Sequence, residues 1–210
     1  MDKLKTDFAS KLLEIKAIKL QPQAPFTWAS GWKSPFYCDN RKTLSFTNIR
    51  NYVKLELVHA VLANFPEAEA VAGVATGAIA QGALVADELN LPFVYVRSKA
   101  KDHGMGNLIE GEIEPGKKVV VVEDLISTGG SSLKAVDALR QHGCQVVGMV
   151  ASYTYGFPVA AKAFEDAGVR LVTLTDYEHV VAEALRTGYI AESDLQLLHT
   201  WRNDPAHWNG

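Results

Sequence analysis

Cysteine is nearly absent. Cys38 and Cys144 are the only two in 210 residues, and they form no CxxC pair. That excludes a disulfide framework and suits a reducing compartment. Basic charge is not in excess either: 21 Lys and Arg stand against 24 Asp and Glu, for a net charge of −3. No global pull toward nucleic acid or an anionic membrane follows from such a balance. No apolar run is long enough to span a bilayer. The first residues, MDKLKTDFASKLLEIKAIKL, place Leu4, Phe8, Leu12 and Ile15 on one helical face between charges. They lack the continuous apolar centre of a signal peptide and read as an amphipathic helix. There is no His/Cys cluster at zinc spacing, no GKS or GKT after a glycine loop, and no GxGxxG after a strand. No internal repeat, low-complexity tract or linker divides the chain. The reading is one cytoplasmic domain spanning 1–210, long enough for a full core.

What the chain does have is alternation. Short β-rich runs at 70–74, 93–96, 119–122, 146–151 and 171–174 are separated by helical patterns over about 47–64, 78–89, 130–142 and 158–167. Uninterrupted apolar strands between helices predict an α/β fold, a parallel sheet with helices on both faces. The segments 1–45 and beyond 176 lie outside the pattern and are expected to form a small cap. Residues 98–112, SKAKDHGMGNLIEGE, are polar and too long for an ordinary connection, which marks a functional loop.

The stretch 119–132, VVVVEDLISTGGSS, carries the chemistry. In a parallel sheet, ligands bind beyond the carboxyl ends of the strands. Glu123 and Asp124 are expected there, solvated, because ionised carboxylates deeper in a strand are costly. After Leu125 and Ile126, the turn Ser127, Thr128, Gly129, Gly130, Ser131 leads into a helix. Hydroxyls, close-approach glycines and a helix N-terminus make an anion cradle. Acceptors for sugar hydroxyls beside donors for a phosphate suit a ribose 5-phosphate. A solvated strand–helix loop would look similar on these residues alone.

The same stretch resembles the phosphoribosyl-pyrophosphate motif of type I phosphoribosyltransferases. YVRSKAKDHGMGN at 95–107 resembles the mobile catalytic loop of the orotate phosphoribosyltransferase family. FTWASGWKSPFYCDNR at 26–41 resembles that family's N-terminal substrate segment. The three keep the family's order and spacing, and the similarity covers essentially the whole chain.

The resemblance implies transfer of a 5-phosphoribosyl group from phosphoribosyl pyrophosphate to orotate in pyrimidine biosynthesis, using Mg²⁺ with no direct protein ligand. It implies that Glu123 and Asp124 hold the ribose hydroxyls while residues 125–131 carry the phosphate cradle. Arg97, Lys101 and His103 bind pyrophosphate, with Lys101 and His103 as catalytic candidates. Thr76 and Gly77 form a pyrophosphate turn. Ser127 and the backbone around Tyr37 and Cys38 meet orotate. A homodimer with shared sites is implied too.

Some members carry Lys where this chain has Ala29 and Thr76, and an Arg after the fifth strand where it has Tyr153 and Tyr155. Arg41 is the candidate substitute for the carboxylate contact; the alternative is an Arg paired with Asp39 or with solvent. Two rival readings are a phosphoribosyltransferase for another base and a non-catalytic regulator sensing phosphoribosyl pyrophosphate. KSPFYCDN speaks against the first. The absence of a basic helix-turn-helix and the presence of Lys101 and His103 speak against the second.

Overall fold

A computed structural model describes residues 2–27, 31, 33–99 and 108–208. In chain order, α1 (Asp2–Glu14) leads through the short strands β1 (Ile18–Leu20), β2 (Phe26–Thr27), β3 (Lys33–Ser34) and β4 (Phe36–Cys38) to a 3₁₀ helix at Asn40–Ser45. Then follow α2 (Thr47–Asn64), β5 (Ala70–Val74), α3 (Ile79–Leu89), β6 (Phe93–Val96), β7 (Ile109–Glu110), β8 (Lys118–Ile126) and α4 (Gly130–Gln141). The chain ends with β9 (Gln145–Thr154), α5 (Pro158–Asp166), β10 (Leu171–Asp176), α6 (Tyr177–Arg186) and α7 (Glu192–Asn203). Two compact units are distinguishable: Leu44–Leu174, and Met1–Thr43 together with Thr175–Gly210.

The larger unit is built on a sheet of order β10-β9-β8-β5-β6-β7. β9, β8, β5 and β6 run parallel, and β7 is antiparallel to β6. Strand alternation explains how one sheet serves two layers. Ala70, Ala72, Val74, Val119 and Val121 share a buried cluster with Ala135, Val136 and Leu139 of α4 and Ala160 and Phe164 of α5. The intervening positions face the other way. There Gly73 and Gly82 let α3 lie close to β5, and Gly148 leaves room for Phe65 at the end of α2. Helices therefore cover both faces, as the apolar strands require.

β8 is longer than its apolar run. It stays paired with β9 through Leu125↔Tyr153 and Ile126↔Thr154, and Ile126 is fully buried. The expected loop at 98–112 is also shorter, because Ile109 and Glu110 pair with Val96 and Tyr95 and the Arg97 N–H donates to the Leu108 carbonyl at 2.8 Å.

The smaller unit has its own core. Phe36 stacks on Trp201 at 6.3 Å between centroids and meets Tyr177 at 5.5 Å. Asp176 caps α6, accepting from the His179 N–H at 3.1 Å and from Lys5 Nζ of α1 at 2.7 Å. Among the described residues no helix is long and apolar enough to cross a membrane.

Candidate active site

The cradle forms where β8 turns into α4. Gly129 adopts φ +83°, a left-handed conformation that favours glycine, and a Cβ there would press on the Phe164 ring at 2.9 Å. No side chain caps α4 at that position. The first N–H groups of a helix have no intrahelical acceptor and carry partial positive charge, so they are left to bind an anion. Thr128, Gly130 and Ser131 are exposed around this end, and Ser127 is half-buried.

The two acids leave β8 on opposite faces. Glu123 continues the Val119–Val121 face toward α4 and is buried, 4 % exposed, contrary to the solvated position expected of it. Its burial is compensated: Oε2 accepts from Ser132 Oγ at 2.8 Å and Oε1 from the Asp124 N–H at 2.9 Å. Asp124 lies against the turn between β5 and α3. A Cβ on Gly77 would run into the Asp124 carboxylate, so any side chain here would displace that carboxylate. Thr76 of that turn is exposed. Glu123 and Asp124, the turn at 127–131 and the turn at Thr76 and Gly77 are thus neighbours in one unit.

Burial and the adjacent Asp124 charge push the Glu123 carboxyl well above the usual carboxylate range; the Ser132 hydroxyl and the Asp124 N–H pull it back by less. This fixes a sign. Below the pKa of an unfolded glutamate, about 4.3, both states hold the proton and burial of the group costs little. As pH rises past that value the unfolded chain releases its proton freely. The folded chain must keep it or bury a charge, so stability falls until the raised folded value is passed. Glu123→Gln should therefore melt higher than wild type at pH 8, by a few degrees. That is the size that a gain on the order of 1 kcal/mol makes in a chain of this length. The difference should vanish toward pH 4, and melts at the two pH values check it. Equal melting at pH 8 would show that Glu123 stores no such cost.

A cavity of about 240 Å³ opens beside the cradle, lined by Ala75, Arg97, Ser98, Gly130, Ser131 and Lys134 over an apolar floor. Arg97 stands at its edge, its Nη1 3.3 Å from Glu110 Oε1 across β6 and β7. Lys134 is an addition to the residues the sequence singled out. Four positions after Gly130 puts it on the same helical face, a spacing visible in the sequence but not used there. Leu125 is half-buried, and Ile126 belongs to the core, so the Ile126 side chain is not offered to a ligand. Lys101 and His103 lie outside the described residues. No group of three or more His, Cys, Asp or Glu side chains able to hold a metal occurs among the described residues.

The base-segment residues belong to the smaller unit. Tyr37 is 38 % exposed and tilts against Phe26 at 5.4 Å between centroids. Cys38 is half-buried, with Sγ 3.5 Å from Asn40 Oδ1. Arg41 is bidentate to Asp39, at 2.6 and 3.0 Å, the pairing weighed against a ligand role. Tyr153 and Tyr155 are buried, edge to face at 5.1 Å, in the larger unit's core.

Residues 60–185 match the family described as Phosphoribosyl transferase domain. The chain is 70% identical over 209 residues to an orotate phosphoribosyltransferase of Bacteroides thetaiotaomicron, covering 100% of this chain and 99% of that protein. It is 66% identical over 200 residues to the orotate phosphoribosyltransferase of Porphyromonas gingivalis, 95% of each. The crystal structure of orotate phosphoribosyltransferase from Aeropyrum pernix matches at a TM-score of 0.76 and 29% identity, over 88% of this chain and 99% of that one. Leishmania donovani UMP synthase, at 22% identity and a TM-score of 0.79, covers 94% of this chain with 42% of its own and shares the fold. With full-length relatives at this identity and the strand–turn–helix above at its centre, the chain belongs to the orotate phosphoribosyltransferase family.

Proposed function

We infer how this site carries out the transfer its family name states. The 5-phosphoribosyl group of phosphoribosyl pyrophosphate passes to orotate, giving orotidine 5-monophosphate and pyrophosphate, a step of pyrimidine biosynthesis. The observation that carries the reading is the junction of β8 and α4. Acids for ribose hydroxyls and an uncapped helix end for the 5-phosphate sit side by side, with Gly77 and its turn against Asp124.

The chain's own residues divide the work. Glu123 and Asp124 orient the ribose. Residues 127–131 anchor the 5-phosphate with N–H and hydroxyl donors. The turn at Thr76 and Gly77 offers main-chain donors to pyrophosphate, while Arg97, Lys101 and His103 supply positive charge as it departs. Ser127 and the backbone at Tyr37 and Cys38 place the flat base. Holding base and sugar in line converts a bimolecular encounter into an oriented one.

Mg²⁺ fits this donor set: the Asp124 carboxylate at the end of β8 is only half-buried, and this ion favours one or two carboxylates, directly or through water, together with phosphate oxygens. When bound it neutralises charge on the pyrophosphate and ribose oxygens. Two cysteines that form no disulfide suit a cytoplasmic protein. A two-fold homodimer with shared sites completes the reading.

The test is product formation from phosphoribosyl pyrophosphate with orotate, uracil, adenine or hypoxanthine as acceptor. Turnover of orotate alone is expected; preference for a purine would overturn the assignment. Arg41 is tested separately. Its guanidinium is the fork geometry for a carboxylate, and exchanging Asp39 for the orotate carboxylate would conserve the hydrogen bonds. Arg41→Ala should raise the KM for orotate about tenfold, the usual loss for one charged hydrogen-bonding partner, and leave that for the donor nearly unchanged. Equal effects on both, or on neither, remove Arg41 from the base site.

A further inference from the structure

Ser132 follows the phosphate cradle directly but turns away from it. It is the third residue of α4 and is 1 % exposed, whereas Ser131 beside it is exposed. A buried hydroxyl is unfavourable unless bonded, and serine is a poorer helix former than alanine, which would fill much the same space. What the hydroxyl provides is a donor, and the donor goes to Glu123 Oε2 at 2.8 Å. The other oxygen of that carboxyl is held by the Asp124 N–H. Glu123 is thereby tied at one end to its own strand and at the other to α4. The same helix offers its N-terminal donors to the phosphate. We propose that Ser132 is a positioning residue of the transfer reaction, its hydroxyl holding the Glu123 carboxyl in register with the phosphate cradle so that ribose and 5-phosphate are gripped as one rigid unit.

The inference rests on the reading that Glu123 holds the ribose hydroxyls, and binding probes keep the two separable. Ribose 5-phosphate presents both groups; inorganic phosphate presents only one. Ser132→Ala should weaken ribose 5-phosphate binding, and kcat/KM for the donor, about tenfold, as loss of one hydrogen bond to a carboxylate does. Inorganic phosphate affinity and the KM for orotate should stay within twofold. Ser132→Cys keeps the shape but donates weakly, and should show most of the same loss while melting close to wild type. In a Glu123→Ala background, Ser132→Ala should add less than twofold, since its acceptor is gone.

The calorimetric titrations and steady-state rates are run on the full chain. If Glu123→Gln weakens ribose 5-phosphate but both Ser132 variants bind it as wild type does, the positioning role fails alone. Full additivity of the two substitutions, or equal losses for both probes, likewise overturns it. If Glu123→Gln itself binds ribose 5-phosphate normally, the ribose-holding role of Glu123 fails first.

Discussion

Lys101→Ala is expected to lower kcat about a hundredfold or more, while the affinity for phosphoribosyl pyrophosphate changes only a few-fold. The donor already carries its negative charges in the ground state, so a distant cation helps binding and transition state nearly equally. Charge on the pyrophosphate leaving oxygen grows only as its bond to C1 breaks. A cation held where that charge develops stabilises the transition state more than the bound donor, and only such a difference raises kcat. Removing one preorganised group of this kind costs about 10²–10³ in other enzymes. Single-turnover rates with donor binding measured separately make the comparison. A kcat within a few-fold of wild type, with weakened donor binding, would make Lys101 a binding residue only. Arg97 should have a smaller share: its guanidinium lines the cavity beside Ser131, but the Glu110 carboxylate paired with it offsets part of its charge.

The elements that the sequence displayed well were the ones with enough residues to show a period. The pattern at 47–64 is α2 residue for residue, and the runs at 70–74 and 93–96 are β5 and β6. β7 was not legible, because a two-residue strand has no alternation to read and is defined by its partner Val96. The pairs β1–β4 and β2–β3 were missed for the same reason. The apolar run of β8 stops at Val122, and the cost of burying carboxylates places the expected end of the strand there. The strand continues because β9 continues beside it and because Ser132, nine positions later in sequence, compensates the buried Glu123. No local rule connects those two residues. The close approach of Gly77 to Asp124 was equally invisible, since Asp124 is on another strand. The strand–turn–helix at 119–132 was legible because it is one continuous segment.

The largest effect expected of any mixture is recovery of activity from two inactive proteins. Lys101→Ala removes a loop cation and Asp124→Asn an acid of the sugar grip. Each variant alone should be nearly inactive. The loop carrying Lys101 leaves the sheet at its edge, from Arg97 after β6, and returns at Leu108 into β7. β6 stands two strands from β8, about 10 Å at the usual strand spacing. Four residues of extended chain reach about 14 Å, so reach alone permits service to the loop's own cradle or to a neighbour's. In the two-fold homodimer proposed above, where the same patch is used twice, the loop would serve the neighbour.

Subunit exchange separates the routes. In a crossed heterodimer the Lys101→Ala subunit keeps an intact cradle and receives an intact loop from its partner; the other site carries both lesions. Activity should rise to half the wild-type value per heterodimer, with the KM for donor close to wild type, because the restored site contains no substitution. The heterodimer is isolated through two different affinity tags so that its fraction is known. If each loop serves its own cradle, both sites of that heterodimer carry one lesion and it stays as inactive as its parents. That outcome would leave the chemistry assigned to Lys101 and Asp124 intact and remove only the sharing between subunits.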